Sequence, residues 1–217
     1  MRRLLGEVGT GSSQFRMEQV DYCKGAIVFR QAQPREYLYQ VVAGAVRAQK
    51  RLLDGRRQIA GFHLVGDIFG LETGETHRFE ADAIVQTTLR LMSRSVLDDR
   101  VDNNPMAFRA FLGMITDNLV HAENQMLLLG RQHSDERVAA FLIEMHSRST
   151  SGGVTHLLMS RRDIADYLGL TLETVSRALT KFRLGGLLKF VDKIHRKDVV
   201  LDTKALSALA DGDSLAA

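Results

Sequence analysis

The chain has 217 residues, a formal net charge of +3, 45% hydrophobic and 25% charged residues. That is a length for two compact domains and a composition typical of soluble proteins. Two prolines and a single cysteine, Cys23, argue against a long disordered tract and exclude an intrachain disulfide; one thiol also excludes a cysteine-ligated cluster or structural zinc within one chain. No apolar run reaches the ~18–20 residues of a membrane span, and Met1–Gly9 begins basic without the apolar stretch of a secretory signal. The expectation is a cytoplasmic protein without a membrane partner.

In chain order, the region from about Asp21 to Leu97 reads as short strands. Ala26–Phe29, Tyr37–Val42 and Val46–Leu53 are candidate strands, and Asp54-Gly55 is a tight-turn dipeptide joining Ala45–Leu53 to Arg57–His63 as a β-hairpin. Ala83–Met92 alternates and reads as one closing strand. Such spacing predicts an antiparallel sandwich or roll.

Residues from Pro105 to Leu129 predict one long helix, with proline in the first turn. Phe108, Phe111, Ile115, Leu119, Ala122 and Met126 recur at 3–4 spacing, and Leu112, Val120, Leu127 and Leu128 widen the apolar surface. A helix apolar on two sides must bury both: one against its own β-domain, the other against the same helix of a second copy, as in a coiled coil, the alternative being a helix wholly inside one domain. Asp135–Ser147 predicts an amphipathic helix with Val138, Phe141, Leu142 and Met145 on one side, followed by a loop at Ser149–Gly153.

The segment from Ser160 to Leu179 carries the chemistry. Ser160 caps a first helix with Asp163 in its first turn, Gly169 supplies a left-handed turn, and Thr171 caps a second helix. Val175, Ala178, Leu179 and Phe182 fall on the buried face of that second helix. Leu172, Glu173, Ser176 and Arg177 are left on the other face, near its N-terminus, where a helix-turn-helix meets base edges in the major groove. Glu173 can accept from cytosine N4, Arg177 can donate to guanine O6/N7 or to a phosphate, Ser176 can bond a base edge and Leu172 can touch a thymine methyl. A carboxylate beside polyanionic DNA is unfavourable unless it reads a donor, so Glu173 trades affinity for specificity.

Gly185–Leu201 predicts two strands with a basic turn, a wing. From Arg148 to Lys197 the chain has ten basic and four acidic residues, a net +6, so the remainder is net negative. Phosphate contacts are expected from Ser160, Arg161, Thr171, Thr174, Lys181, Lys193 and Arg196. A short helix from Thr203 to Leu209 closes the pattern. The expected fold class is α+β: an antiparallel β-roll over residues 1–100, a dimerisation helix and hinge over 101–132, and a winged helix-turn-helix over 133–217.

Glu173-Thr174-Val175-Ser176-Arg177, after Ile164-Ala165 and Leu168-Gly169, resembles the cyclic-AMP receptor and anaerobic-regulator (CRP/FNR) family of transcription regulators, and Asp163 to Arg177 is most similar to its FixK branch. The resemblance spans nearly the whole chain. It implies a cyclic-nucleotide-binding-like β-roll and a homodimer on a palindrome of TTGA-like half-sites, with Glu173 and Arg177 on the G·C pair and Ser176 on a thymine. It also implies RNA polymerase as a partner, met through the Ser147–Thr155 loop, and activation of low-oxygen, respiratory or nitrogen-fixation genes.

The departures concern the signal. There is no N-terminal cysteine cluster. Where nucleotide-binding members have a phosphate-clamping Arg-Ser, this chain has Arg78-Phe79, and Ala122-Glu123 replaces the hydroxyl pair expected near an adenine. The redox cysteine of some FixK-like members aligns with Arg162. The resemblance therefore implies a regulator active with no cofactor and no metal, with a same-fold regulator gated by a small ligand or haem as the alternative.

His77 reads as a surface-loop histidine, haem ligation being its other reading, and Cys23 as a small residue near a strand start or a redox sensor. A cupin-like metalloenzyme is the distant alternative, but its His-x-His is missing, since His63 stands alone in its strand. No nucleophile, carboxylate-pair or phosphate-loop pattern indicates an enzyme. Asp213–Ala217 resembles a degradation tag, with an ATP-dependent protease as partner, or is a frayed tail.

Overall fold

The structure is a computed structural model that describes residues 18–72, 74–131, 133–191 and 197–212. It divides into two compact units: the described residues up to Lys50 with Phe62–Asn124, and Arg51–Gly61 with the described residues from Gln125 onward.

Among the described residues eight strands come first: β1 (Glu18–Tyr22), β2 (Ile27–Phe29), β3 (Tyr37–Ala43), β4 (Val46–Arg51), β5 (Arg57–His63), β6 (Ile68–Phe69), β7 (Glu80–Ala83) and β8 (Thr87–Ser93). They form two antiparallel sheets in the orders β1-β8-β3-β6 and β2-β7-β4-β5. Because side chains alternate across a strand, Tyr39, Val41, Leu89 and Leu91 of the first sheet meet Phe29, Val46 and Ala81 of the second in one core. The Asp54-Gly55 hairpin forms as expected: Leu52 N–H donates to Arg56 O at 2.8 Å and Gly55 has φ +83°.

The expected single strand Ala83–Met92 is two strands in different sheets. Its apolar alternation continues while the chain changes sheet at Ile84–Gln86. The Thr87 hydroxyl, fully buried, fixes that corner by accepting from Ala45 N–H at 3.1 Å. Gly44 faces it with φ +85°, and a Cβ there would lie 2.4 Å from the Gln86 carbonyl oxygen, so no other residue fits.

Helix α1 (Arg94–Asn103) was absent from the sequence expectation, which ran strands to Leu97. It has one buried residue, Leu97, and its N-cap Ser93 makes no side-chain cap bond. Leu97 and Leu38 form the outer cluster of the first sheet, with Phe111 and Met114 of α2 (Pro105–Gly130) packed on it. Phe111 is thus turned to its own β-roll. Phe108, Ile115, Leu119 and Met126 are exposed, and Leu112 joins them: these five range from 41% to 64%. With exposed Ala122 they recur strictly 4-3-4-3-4, a heptad seam along one face. Among the described residues no helix is long and apolar enough to cross a membrane.

The second unit holds α3 (Ser134–Arg148), a small hairpin of β9 (Thr150–Ser151) and β10 (Val154–His156), α4 (Arg161–Leu168), α5 (Leu172–Leu184), β11 (Leu188–Phe190), β12 (Asp198–Leu201) and α6 (Thr203–Ala210). Ser149–Gly153, expected as a loop, is mostly this hairpin, with Val154 opposite Ser151. The sheet order is β11-β12-β10-β9. The core is built on Val138, Phe141, Leu142 and Met145 of α3, all at 0% exposure, as the amphipathic pattern predicts.

Candidate nucleic-acid interface

Helices α4 and α5 are defined by their ends. The Ser160 hydroxyl accepts from Asp163 N–H at 3.1 Å, and Ser160 N–H donates to Asp163 Oδ2 at 3.1 Å, a reciprocal cap. The same hydroxyl donates to Asp163 Oδ2 at 2.7 Å, so its donor and acceptor are both used within the cap. Ser160→Ala is expected to destabilise the unit by about 1 kcal/mol in urea unfolding. Gly169 ends α4 at φ +64°, ψ 35°, and Leu170 N–H reaches back to Ala165 O at 3.0 Å. Thr171 then caps α5, accepting from Thr174 N–H at 3.2 Å. Its hydroxyl also lies 3.0 Å from that of Thr174.

Val175, Ala178, Leu179 and Phe182 are buried as expected, and α5 packs on α4 and α3. The opposite face is left outward: Glu173 and Arg177 are exposed, Leu172, Thr174 and Ser176 half-buried. Glu173, Ser176 and Arg177 stand at i, i+3 and i+4, hence on one face. The Glu173 carboxyl is held below the usual glutamate range, first by its own backbone N–H, then by the Thr171 hydroxyl and the charges of Arg162 and Arg177. It is therefore ionised near neutrality and acts as a hydrogen-bond acceptor only.

The candidate phosphate contacts are placed unequally. Thr171 is exposed and Arg161 half-buried. Lys181 is paired with Asp135 of α3 at 2.7 Å, an intramolecular bond that sequence spacing did not reveal. The wing strands β11 and β12 pair antiparallel, with Lys189 opposite Val200. Lys193 and Arg196, at the expected basic turn, lie outside the described residues, as does the Asp213–Ala217 tail.

In the β-roll, His77 is not on a surface loop. It is 2% exposed, its ring is stacked on Phe29 at 3.5 Å between centroids, and its Nδ1 lies 2.9 Å from Glu72 Oε2. The His77 Nε2 is buried without a hydrogen-bond partner. Arg78 is exposed, with its guanidinium 5.8 Å from the centre of the Phe79 ring. Cys23 is exposed in the turn after β1 rather than at a strand start. Among the described residues, no three His, Cys, Asp or Glu side chains come together as metal ligands.

A capped helix pair whose second helix presents its N-terminal polar face, followed by a two-stranded wing, is the architecture of winged helix-turn-helix DNA-binding proteins. Residues 136–209 match the Crp-like helix-turn-helix domain and residues 19–104 the cyclic nucleotide-binding domain. The chain is 40% identical over 190 residues to the nitrogen fixation regulation protein FixK of Rhizobium meliloti, covering 88% of this chain and 86% of that protein. It is 39% identical to the transcriptional activatory protein AadR of Rhodopseudomonas palustris, covering 89% and 81%. The structure of FixK2 from Bradyrhizobium japonicum superposes with a TM-score of 0.85 at 46% identity, over 94% of this chain and all of that one. The chain belongs to the CRP/FNR family, on its FixK side: it is a DNA-binding transcription regulator and not an enzyme.

Proposed function

We propose that this chain acts as a homodimeric activator on a palindrome of TTGA-type half-sites, needing no bound nucleotide, metal or haem. The observation that carries this reading is the outward face of α5, where Glu173, Ser176 and Arg177 share one side behind the Thr171 cap. Glu173 and Arg177 read the G·C pair, Ser176 and Leu172 the neighbouring thymines. Thr171, Thr174, Arg161, Lys193 and Arg196 set the register on phosphates, and Ser160 serves mainly by capping the helix that positions them. Two copies join along Phe108, Leu112, Ile115, Leu119, Ala122 and Met126, so the recognition helices meet half-sites about one helical turn apart. The names of the relatives FixK and AadR support activation and a tie to nitrogen fixation. RNA polymerase meets the β9–β10 hairpin.

Independence from a ligand is supported inside the β-roll. Glu72 is engaged by His77, whose ring is stacked on Phe29, and Arg78 stands at the surface. The test is selection of duplexes from a random pool by the purified, nucleotide-free protein. The expected outcome is enrichment of a TTGA-type palindrome, with affinity that falls steeply as salt rises. Enrichment only after adding a cyclic nucleotide or haem contradicts independence; no enrichment in any condition contradicts sequence-specific DNA binding.

A further inference from the structure

We propose that Arg57 is a positioning residue for DNA binding that acts through two carboxylates of α4 and touches no DNA. This rests on the DNA-binding reading above. Arg57 comes from the start of β5, whose first residues belong to the same unit as α4 and α5. Its Nε donates to Asp166 Oδ2 at 2.7 Å and its Nη2 to Asp163 Oδ1 at 2.7 Å. The side chains of Arg57, Asp163 and Asp166 are 27%, 7% and 13% exposed, so the trio is largely withdrawn from solvent. The adjacent Gln58 amide donates to Tyr167 O at 3.5 Å.

The chemistry follows from where these carboxylates sit. Asp163 and Asp166 are one turn apart on the helix whose N-terminal end faces the phosphates. Left alone, they put two negative charges beside a polyanion, in a setting of low exposure where screening is weak. One guanidinium bridges both. Its bond to Asp163 Oδ1 leaves Oδ2 for Ser160 N–H and hydroxyl, which fixes the cap. Its bonds to Asp166 also leave Arg162 loosely held: Arg162 Nε is 3.4 Å from Asp166 Oδ1, and its side chain is 68% exposed. Without Arg57, Asp166 recruits Arg162 and ties down an exposed cation of the first turn of α4. A planar fork suits this task as lysine does not.

The experiment measures specific duplex binding against salt for four proteins: wild type, Arg57→Gln, Arg51→Gln, and the double variant Arg57→Gln/Asp166→Asn. Arg51→Gln changes the same net charge on the same hairpin, and so reports the general field. Arg57→Gln is expected to weaken binding about tenfold, with the wild-type salt slope, while Arg51→Gln stays within about twofold. The double variant, having no unpaired carboxylate at Asp166, is expected to return to within about threefold of wild type. Three results overturn the proposal. Arg57→Gln binds as well as Arg51→Gln; or its salt slope falls by about 0.9, the signature of a lost phosphate contact; or the double variant is no better than the single one, which makes Arg57 a fastener of the hairpin. If Arg57→Gln alone does not fold, the double variant decides: near-wild-type affinity and slope support the proposal, and a tenfold or greater loss overturns it. A wild-type protein that binds no duplex specifically refutes the DNA reading itself.

Discussion

Leu119→Glu is expected to convert the proposed dimer to monomer and to lower affinity for a palindromic duplex by two orders of magnitude or more. Leu119 stands at the middle of the exposed 4-3-4-3-4 seam of α2, itself 56% exposed. Fully burying one leucine side chain is worth about 1.5–3 kcal/mol, and each substitution occurs twice in a two-fold dimer. The loss is therefore about 3–6 kcal/mol before the cost of a buried carboxylate, and every 1.4 kcal/mol is about a factor of ten. Sedimentation velocity reads the association state, and titration of full and half palindromes reads the affinity. Phe111→Ala is the control, because Phe111 packs on Leu38 and Leu97 of its own unit. It is expected to lower stability while leaving the dimer intact. A Leu119→Glu protein that remains dimeric, or a Phe111→Ala protein that dissociates, shows that α2 pairs through another face.

Arg177→Ala is expected to cost about 1–3 kcal/mol on the cognate duplex and to relax preference at its guanine. Glu173→Ala is expected to behave differently. It removes a charge that repels phosphate, so non-specific binding strengthens or holds while discrimination at the base pair opposite the guanine collapses. The position of Glu173 supports this split: it is exposed and ionised, held by its own N–H and the Thr171 hydroxyl beside the charges of Arg162 and Arg177. Binding to a panel of duplexes with all four base pairs at that position measures both effects. Equal losses on every duplex for both variants contradict base reading by these two side chains.

The parts of the fold that were legible in the amino-acid sequence are those set by local stereochemistry. Ser160, Asp163, Gly169 and Thr171 mark helix ends by their own hydrogen bonds and φ angles, so both ends of α4 and the start of α5 could be placed within a residue. Asp54-Gly55 marked its hairpin for the same reason. Elements held by distant contacts were not legible. Helix α1 has a single buried residue and an N-cap, Ser93, that makes no side-chain cap bond, which leaves no local signature. The β7–β8 corner hides inside a continuous alternation, because Thr87 is fixed by Ala45, 42 residues earlier. His77 looked like a loop residue because its burial depends on Phe29.

The seam of α2 is an intermediate case. Phe111 and Leu112 are both apolar neighbours, and 3–4 spacing admits either. The strict heptad count from Phe108 selects Leu112, and that count was available from the residues alone. The bridge from Arg57 to Asp163 and Asp166 spans more than a hundred residues, and no pattern in the chain announces it. On α5, then, the outward face could be read directly from the residues, while the distant ion pairs of α4 could not.

The most direct test of the central claim is the structure of the protein bound to its selected duplex. The account predicts α5 in the major groove, the Glu173 carboxylate within hydrogen-bond reach of a cytosine N4 and the Arg177 guanidinium on the guanine of the same base pair. The opposite result is α5 outside the groove, or Glu173 facing solvent while other side chains meet the base edges; either contradicts the assignment of this surface as the reader of DNA sequence.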